Sequence, residues 1–333
     1  MSSGLVNCLA GVIVSRQTNP KPDCPRPPEP RFRMTVQWYP QTPYFSPRLR
    51  TSYLPQRPTA AIPSRYMNLE PLLIIELALL GMGTGFLAGL LGIGGGMLMV
   101  PFITIIMSNR GVSPDLAVKM AIATSMATII FTSLSSVRAH HKRGAVRWDM
   151  VKRLAPGIVI GSTIGSLGVF ALLKGSYLAT FFGLFVGLSA TQMFLDKKPK
   201  PTRQMPGTGG QLAAGGFIGF LSGLVGAGGG FISVPFMTWC NMAIHNAVAT
   251  SAALGFPIAV ANVAGYIISG QSIQNLPPAS FGYIWLPALA VIAVCSFLTA
   301  PLGARTAHGM DIRPLKKVFA TVLYALSAYF LLR

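Results

Sequence analysis

Two glycine clusters, each followed by a Thr-Ser pair, are the residues of this 333-residue chain whose types and spacing suit ligand binding. They lie in GFLAGLLGIGGGMLMVPF, which starts at Gly85, and in GFLSGLVGAGGGFISVPF, which starts at Gly219. Because each glycine costs a helix roughly 1 kcal/mol relative to alanine, the clusters predict a break within each apolar segment. A helix that restarts after such a break presents unpaired N–H groups and a partial positive charge, which together suit an anion.

Hydroxyl groups close to each break extend the predicted site. AIATS (121–125) follows the first break and AVATS (247–251) follows the second, and Asn262 is a further candidate. The predicted substrate-binding residues are Gly92, Gly94, Gly95, Gly96, Thr124, Ser125, Gly226, Gly228, Gly229, Gly230, Thr250 and Ser251. The alternative interpretation is that the glycines only permit tight packing around a re-entrant turn.

Other ligand-binding patterns are absent from the sequence. The first glycine cluster does not match a dinucleotide fingerprint, because Met97 stands where the third glycine is needed and no strand–helix unit surrounds it. The cysteines form no C-x-x-C pair and the histidines are mostly scattered, so neither a metal site nor a disulfide framework is indicated. We therefore expect no cofactor.

The composition indicates a membrane protein. Apolar residues make up 51% of the chain and charged residues only 11%, against about 25% charged in an ordinary soluble domain. Several apolar runs reach the roughly 20 residues that cross a bilayer. The net charge of +19 is explained by the basic residues that membrane proteins collect in cytoplasmic loops, and no nucleic-acid partner is predicted.

The chain divides into four predicted regions. Residues 1–66 are proline-rich and form a disordered or mis-assigned N-terminal extension, since Met67 directly precedes the first strong apolar segment. Residues 67–195 and 211–333 are two transmembrane repeats, joined by a charged cytoplasmic linker at 196–210. The predicted segments are Leu69–Leu91, Met97–Met107, Leu116–Ala139, Met150–Leu173, Tyr177–Leu195, Gln211–Val225, Phe231–Met242, Ala247–Ser269, Phe281–Ala300 and Leu315–Leu332.

The second segment of each half, which a proline opens, is short, so each half has four long segments and one short or re-entrant one. Most basic residues after Met67 fall in three loops: after the third segment, in the linker, and before the last segment. Five segments per half place all three loops in the cytoplasm and the uncharged loop 271–280 outside. This arrangement inverts one repeat relative to the other, so that both glycine breaks lie at similar depth and face each other across a pseudo-two-fold axis.

Two ionisable residues within apolar segments are further candidates, since charge inside a membrane is costly and often functional. Glu76 is a candidate proton-coupling group, although the second repeat has no equivalent residue. Lys119 is positioned either to attract an anion or to extend its ammonium group to the interface, and its position near a segment end favours the second interpretation.

The doubled motif, with AIATS after the first copy and AVATS after the second, resembles the TauE/SafE family of sulfite exporters, and the resemblance covers Met67 to Arg333. It implies a multi-pass inner-membrane secondary transporter for a small sulfur-containing or organic anion, of the sulfite, thiosulfate or sulfoacetate class. It also implies proton coupling. Residues 1–66 depart from the short N-terminus usual in that family.

Two other classes of function remain open from the residues alone. A passive anion channel would use the same backbone sites. A membrane enzyme or sensor would need a cluster of His, Asp and Glu, and only six acidic residues follow Met67. An enzyme is therefore not predicted. The direction of transport and the oligomeric state are not encoded in any recognisable pattern.

Overall fold

The computed structural model describes residues 71–92, 95–195, 204–273, 276–306 and 313–332. The predicted N-terminal extension and residues 196–203 of the predicted linker lie outside them. The helices are α1 (Pro71–Leu91), α2 (Gly96–Asn109), α3 (Pro114–His141), α4 (Trp148–Leu172), α5 (Gly175–Leu195), α6 (Thr208–Val225), α7 (Gly230–Trp239), α8 (Ile244–Gly270), α9 (Leu286–Thr306) and α10 (Arg313–Leu332). A π-helical segment, Ile164–Val169, lies within α4.

The predicted segments correspond to these helices, with one error at a boundary. Residues predicted to open the ninth segment instead form a hairpin of two strands, β1 (Ser280–Phe281) and β2 (Ile284–Trp285), and α9 begins after it. Gly282 takes a positive φ of 57° in the connecting turn, a conformation that interrupts a helix.

The two short helices begin one residue before the predicted segments, and their prolines are not at their starts. Pro101 and Pro235 were expected to open them, but both lie inside α2 and α7, which start at Gly96 and Gly230. Since proline has no N–H group, each leaves the carbonyl four residues earlier without its helical donor. The glycine breaks are therefore followed directly by helix.

Helices α3 and α8 form the centre of the bundle. Over its most apolar window α3 is 78% buried and α8 56% buried, more than any other long apolar helix of the described residues. The two pack against each other. Helices α1, α5 and α9 lie further out and expose large apolar side chains such as Leu79, Leu188 and Leu298, as expected for a surface that faces lipid.

The two halves of the chain pack in a reciprocal manner. The first helix of each half lies along the fourth helix of the other half, so that α1 packs on α9 and α6 packs on α4. Glycines allow these close approaches, because a Cβ atom on Gly85 would collide with Ser296 and one on Gly219 would collide with Ile158. These two glycines therefore serve the packing of helix against helix.

Seven helices of the described residues are long and apolar enough to cross a membrane, namely α1, α3, α4, α5, α6, α8 and α9. The predicted short segments are short, with 14 residues in α2 and 10 in α7. The chain is thus an all-α polytopic membrane protein in which two short helices follow the glycine breaks.

Candidate anion site at the two glycine breaks

The two glycine breaks have the same backbone conformation. Gly92 follows the end of α1 with a φ of 69°, and Gly95 precedes α2 with a φ of 70°. The second break repeats this geometry with φ values of 72° at Gly226 and 73° at Gly229. Side chains with a Cβ atom avoid this left-handed region, which explains why glycine occupies both ends of each break.

Each break is followed directly by a helix N-terminus. The N–H groups of Leu98 and Met99 both bond to the carbonyl of Gly95, and Ile232 and Ser233 repeat this with Gly229. The N–H groups that precede them have no acceptor within their own helix. A left-handed residue followed by a right-handed one turns successive N–H groups to one side, a geometry that binds anions.

The glycines of the two breaks are buried and closely packed. A Cβ atom on Gly96 would collide with the carbonyl oxygen of Gly226, so the start of α2 directly contacts the opposite break. Gly92 packs against the carbonyl of Val248, which lies next to the second Thr-Ser pair. The breaks are thus in contact with each other's half of the chain. Gly94 lies outside the described residues.

The serine hydroxyls bridge the two halves at the breaks. Ser125 Oγ donates to the carbonyl of Gly226 at 3.0 Å, and Ser251 Oγ donates to the carbonyl of Gly92 at 3.1 Å. Each serine of one half therefore bonds to the glycine that ends the first helix of the other half. Both serines are fully buried. These hydrogen bonds join each central helix to the opposite break.

The threonine hydroxyls make a second reciprocal pair of bonds. The N–H of Trp285 donates to Thr124 Oγ1 at 3.0 Å, and the N–H of Arg147 donates to Thr250 Oγ1 at 3.1 Å. Trp285 directly precedes α9 and Arg147 directly precedes α4. In each half, a threonine of the other half therefore bonds to the residue before the fourth helix. The sequence pattern did not indicate these backbone partners, because they come from distant loops.

The four predicted hydroxyl groups are thus all engaged with the backbone of the opposite half. They fix the breaks and the starts of α4 and α9. The backbone N–H groups at the starts of α2 and α7 remain the donors best suited to an anion. The remaining predicted glycines, Gly228 and Gly230, are buried within the second break.

A third equivalence concerns the glycines one turn before each break. The Tyr266 hydroxyl donates to the carbonyl of Gly223, and His140 Nε2 lies 3.3 Å from the carbonyl of Gly89. Because the neighbour is a carbonyl, Nε2 carries the proton in this contact. Gly89 and Gly223 occupy the same place in the repeated motif, so α3 and α8 contact the break-bearing helices in the same way.

Of the two ionisable candidates, Lys119 contacts the end of α4 and the hairpin. Lys119 Nζ donates to the carbonyl of Ala171 at 3.2 Å and stands 5.5 Å from the ring centres of Phe170 and Tyr283. Burial raises the pKa of the Tyr283 phenol, so this ring stays neutral beside the lysine. Glu76 is exposed near the start of α1, on the outside of the bundle.

Other chemistries have little support in the described residues. No group of three His, Cys, Asp or Glu side chains there is placed to hold a metal ion. Matched breaks of this kind, buried between two halves of a chain, occur in secondary transporters.

Comparison with known proteins assigns the family. Residues 77–330 match the family described as Sulfite exporter TauE/SafE. The chain is 36% identical over 251 residues to a probable membrane transporter protein of Haemophilus influenzae. The aligned residues cover 75% of this chain and 95% of that protein. The chain belongs to the sulfite exporter TauE/SafE family and is a multi-pass membrane transporter rather than a member of an enzyme family.

More distant relatives carry similar names. A probable membrane transporter protein of Methanocaldococcus jannaschii is 26% identical over 274 residues, which cover 80% of this chain and 97% of that protein. The probable membrane transporter protein YunE of Bacillus subtilis is 29% identical over 269 residues, which cover 75% and 94%. No solved structure matches the chain.

Proposed function

We propose that this protein is a secondary transporter that moves a small sulfur-containing or organic anion across the cytoplasmic membrane by alternating access, coupled to the proton gradient. Sulfite, thiosulfate and sulfoacetate represent the substrate class. The observation that carries the proposal is the pair of matching breaks, each of which opens a buried helix N-terminus after a left-handed glycine.

The physical reason is that an oxyanion needs several hydrogen-bond donors when it leaves water. The N–H groups at the starts of α2 and α7 supply donors that no side chain has to provide, and the helix dipoles add partial positive charge. Irregular backbone at membrane depth is tolerated where it is buried in protein or lines a cavity. Both breaks meet this condition, since Gly92 and Gly226 are buried.

Alternating access in many transporters is a rocking of one repeat against the other around a central site. The reciprocal packing of α1 on α9 and of α6 on α4 supports two inverted repeats here. So do the exchanged hydrogen bonds of Ser125 with Gly226 and of Ser251 with Gly92. Movement between the halves would have to preserve or exchange these buried bonds.

Flux measurements in proteoliposomes test the function. Uptake of sulfite, thiosulfate and sulfoacetate is measured against sulfate, with and without an imposed pH gradient. We expect uptake that saturates with substrate concentration and rises with the pH gradient, because a transporter binds one substrate per cycle. Empty liposomes give the background. Uptake that never saturates and ignores the gradient would instead establish a passive anion channel.

A further inference from the structure

A buried polar cluster lies beside the second break, and of its members only Asn262 was a candidate for the anion site. It consists of Ser162 on α4, Ser222 on α6 and Asn262 on α8, which we call the α6 cluster. Each is at most 2% exposed. The hydroxyl oxygens of both serines and the Oδ1 atom of Asn262 have no hydrogen-bond partner among the described residues. Buried polar atoms are rarely left unsatisfied, so a water molecule or an ion is expected beside them.

The three side chains lie along the C-terminal half of α6. A Cβ atom placed on Gly219 would lie 2.8 Å from Ser162 Oγ. A Cβ atom placed on Gly223 would collide with Asn262 Oδ1. Ser222 lies between these glycines in the sequence. Its hydroxyl would lie 3.1 Å from a Cβ atom placed on Gly229, in the break. The cluster therefore extends along the last turns of α6 as far as the break.

The first half of the chain lacks this cluster. In the repeated motif Ala88 stands where the second half has Ser222. Gly89 packs on Ala300 of α9, and Ala300 occupies the position that Ser162 occupies on α4 beside α6. The first half thus has alanine at two of the three positions. At the third, Ser136 corresponds to Asn262 and is likewise buried, with no partner for its hydroxyl among the described residues.

The local backbone is also unusual on the polar side. The π-helical segment Ile164–Val169 starts two residues after Ser162, and such segments occur frequently at functional sites. Within it, the hydroxyl of Ser166 donates to the carbonyl of Ser162 at 2.8 Å. A Cβ atom on Gly265 of α8 would collide with Ser166, so this turn is tightly packed.

The orientation of Asn262 decides the charge of the ligand. Its Nδ2 donates to the carbonyl of Ile258 at 2.8 Å, and the reverse orientation would place two oxygens against each other. Oδ1, which only accepts hydrogen bonds, is therefore the atom without a partner. An acceptor repels an anion, whereas a carbonyl oxygen with two hydroxyl oxygens is a ligand set for a hard cation.

We propose that the α6 cluster is a binding site for a small monovalent cation of the Na⁺ class. All three ligands are neutral, which suits a single positive charge better than the two of Ca²⁺ or Mg²⁺, whose sites use carboxylates. Close packing of α6 against α4 and α8 at Gly219 and Gly223 favours a small ion. The site goes beyond the proposed anion transport and does not depend on it.

Thermal unfolding of the purified full-length protein tests the site at constant pH and ionic strength in NaCl, KCl or choline chloride. A cation that binds the folded state raises its stability, and at ten times its Kd the Tm increases by about 3 °C. We expect this shift with Na⁺ relative to choline, and a smaller one with K⁺.

The double variant Ser162→Ala/Ser222→Ala reproduces the alanines of the first half. Since it removes hydroxyls without protein partners, we expect an unchanged or higher Tm in choline and no Na⁺ shift. The control Ser189→Ala removes a buried hydroxyl that bonds to its own helix at Phe185, and it should keep the Na⁺ shift. If the double variant does not fold, binding of ²²Na⁺ to the wild-type protein, displaced by Na⁺ and not by choline, decides the matter.

Two results would overturn the proposal. The first is an identical wild-type Tm in NaCl and choline chloride together with no displaceable ²²Na⁺, which would indicate that the cluster holds only water. The second is a Na⁺ shift that persists in the double variant, which would indicate a general salt effect or a site elsewhere.

Discussion

Replacing Ser125 or Ser251 with alanine tests whether the Thr-Ser pairs hold the two breaks together. In Ser125→Ala the buried carbonyl of Gly226 loses its donor, and in Ser251→Ala the same happens to Gly92. A buried polar group left unsatisfied costs about 1–3 kcal/mol. The higher helix propensity of alanine returns roughly 0.5 kcal/mol. We expect a net loss of about 1–2 kcal/mol in each variant.

The loss should be slightly larger for Ser251→Ala, because Ser233 Oγ lies 2.8 Å from Ser251 Oγ and also loses this partner. For a domain of this size 1 kcal/mol lowers the Tm by about 2–4 °C. The assay is thermal unfolding of purified protein in detergent. Ser189→Ala is the matched control, since its hydroxyl bonds only within α5 and its loss leaves no carbonyl without a helical donor.

A Tm for Ser125→Ala and Ser251→Ala equal to that of Ser189→Ala would refute this reasoning. Transport measured on the same variants separates two roles of the hydroxyls. If they only join the halves, the KM for the anion stays within about twofold. If a hydroxyl instead binds the anion directly, its removal raises KM about tenfold for every 1.4 kcal/mol of binding free energy that it supplied.

Two further predictions concern topology and Lys119. In a background without native cysteines, Ser272→Cys should react with an impermeant reagent from outside and Lys198→Cys only after permeabilisation; labelling of both from one side would contradict the inverted repeats. Lys119→Met, which keeps the apolar stem but removes the bond to Ala171 and the contact with Phe170, should lower the Tm by a few degrees and leave the anion KM unchanged. A large rise in KM would instead assign Lys119 to anion attraction.

The elements of the fold could be predicted because the bilayer imposes long apolar helices. Each predicted segment is a helix, and the glycine breaks lie where their propensities place them. The hairpin at 280–285 was missed because its apolar residues, including Phe281 and Trp285, resemble the start of a membrane helix. Turn geometry at Gly282 and Ala279, both with positive φ, is not visible in hydropathy.

The residues at the two breaks were singled out from the sequence, and their anion-binding role stays a prediction. The glycines and the Thr-Ser pairs stood out because they occur twice, but repetition alone does not distinguish ligand binding from cross-bonding. The hydrogen bonds of Thr124 with Trp285 and of Thr250 with Arg147 join residues more than 100 positions apart, and no local pattern encodes them. Ser222 had a visible signal, since it replaces Ala88 in an otherwise similar motif.

The most direct test of the central claim, an anion bound at the glycine breaks, measures thermal stabilisation by sulfite, thiosulfate and sulfoacetate against neutral and cationic compounds. Gly95→Ala and Gly229→Ala are compared with Gly111→Ala. Gly111 has a φ of 83° with open space around it, so its variant shares the left-handed strain of about 1–2 kcal/mol outside the site.

We predict stabilisation by at least one of these anions in the wild-type protein and in Gly111→Ala, and its loss in Gly95→Ala and Gly229→Ala. In these two variants the new Cβ atom meets Thr84 or Ile258 and displaces the backbone of the break. Undiminished stabilisation in both variants, or stabilisation by cationic or neutral compounds alone, would contradict the account.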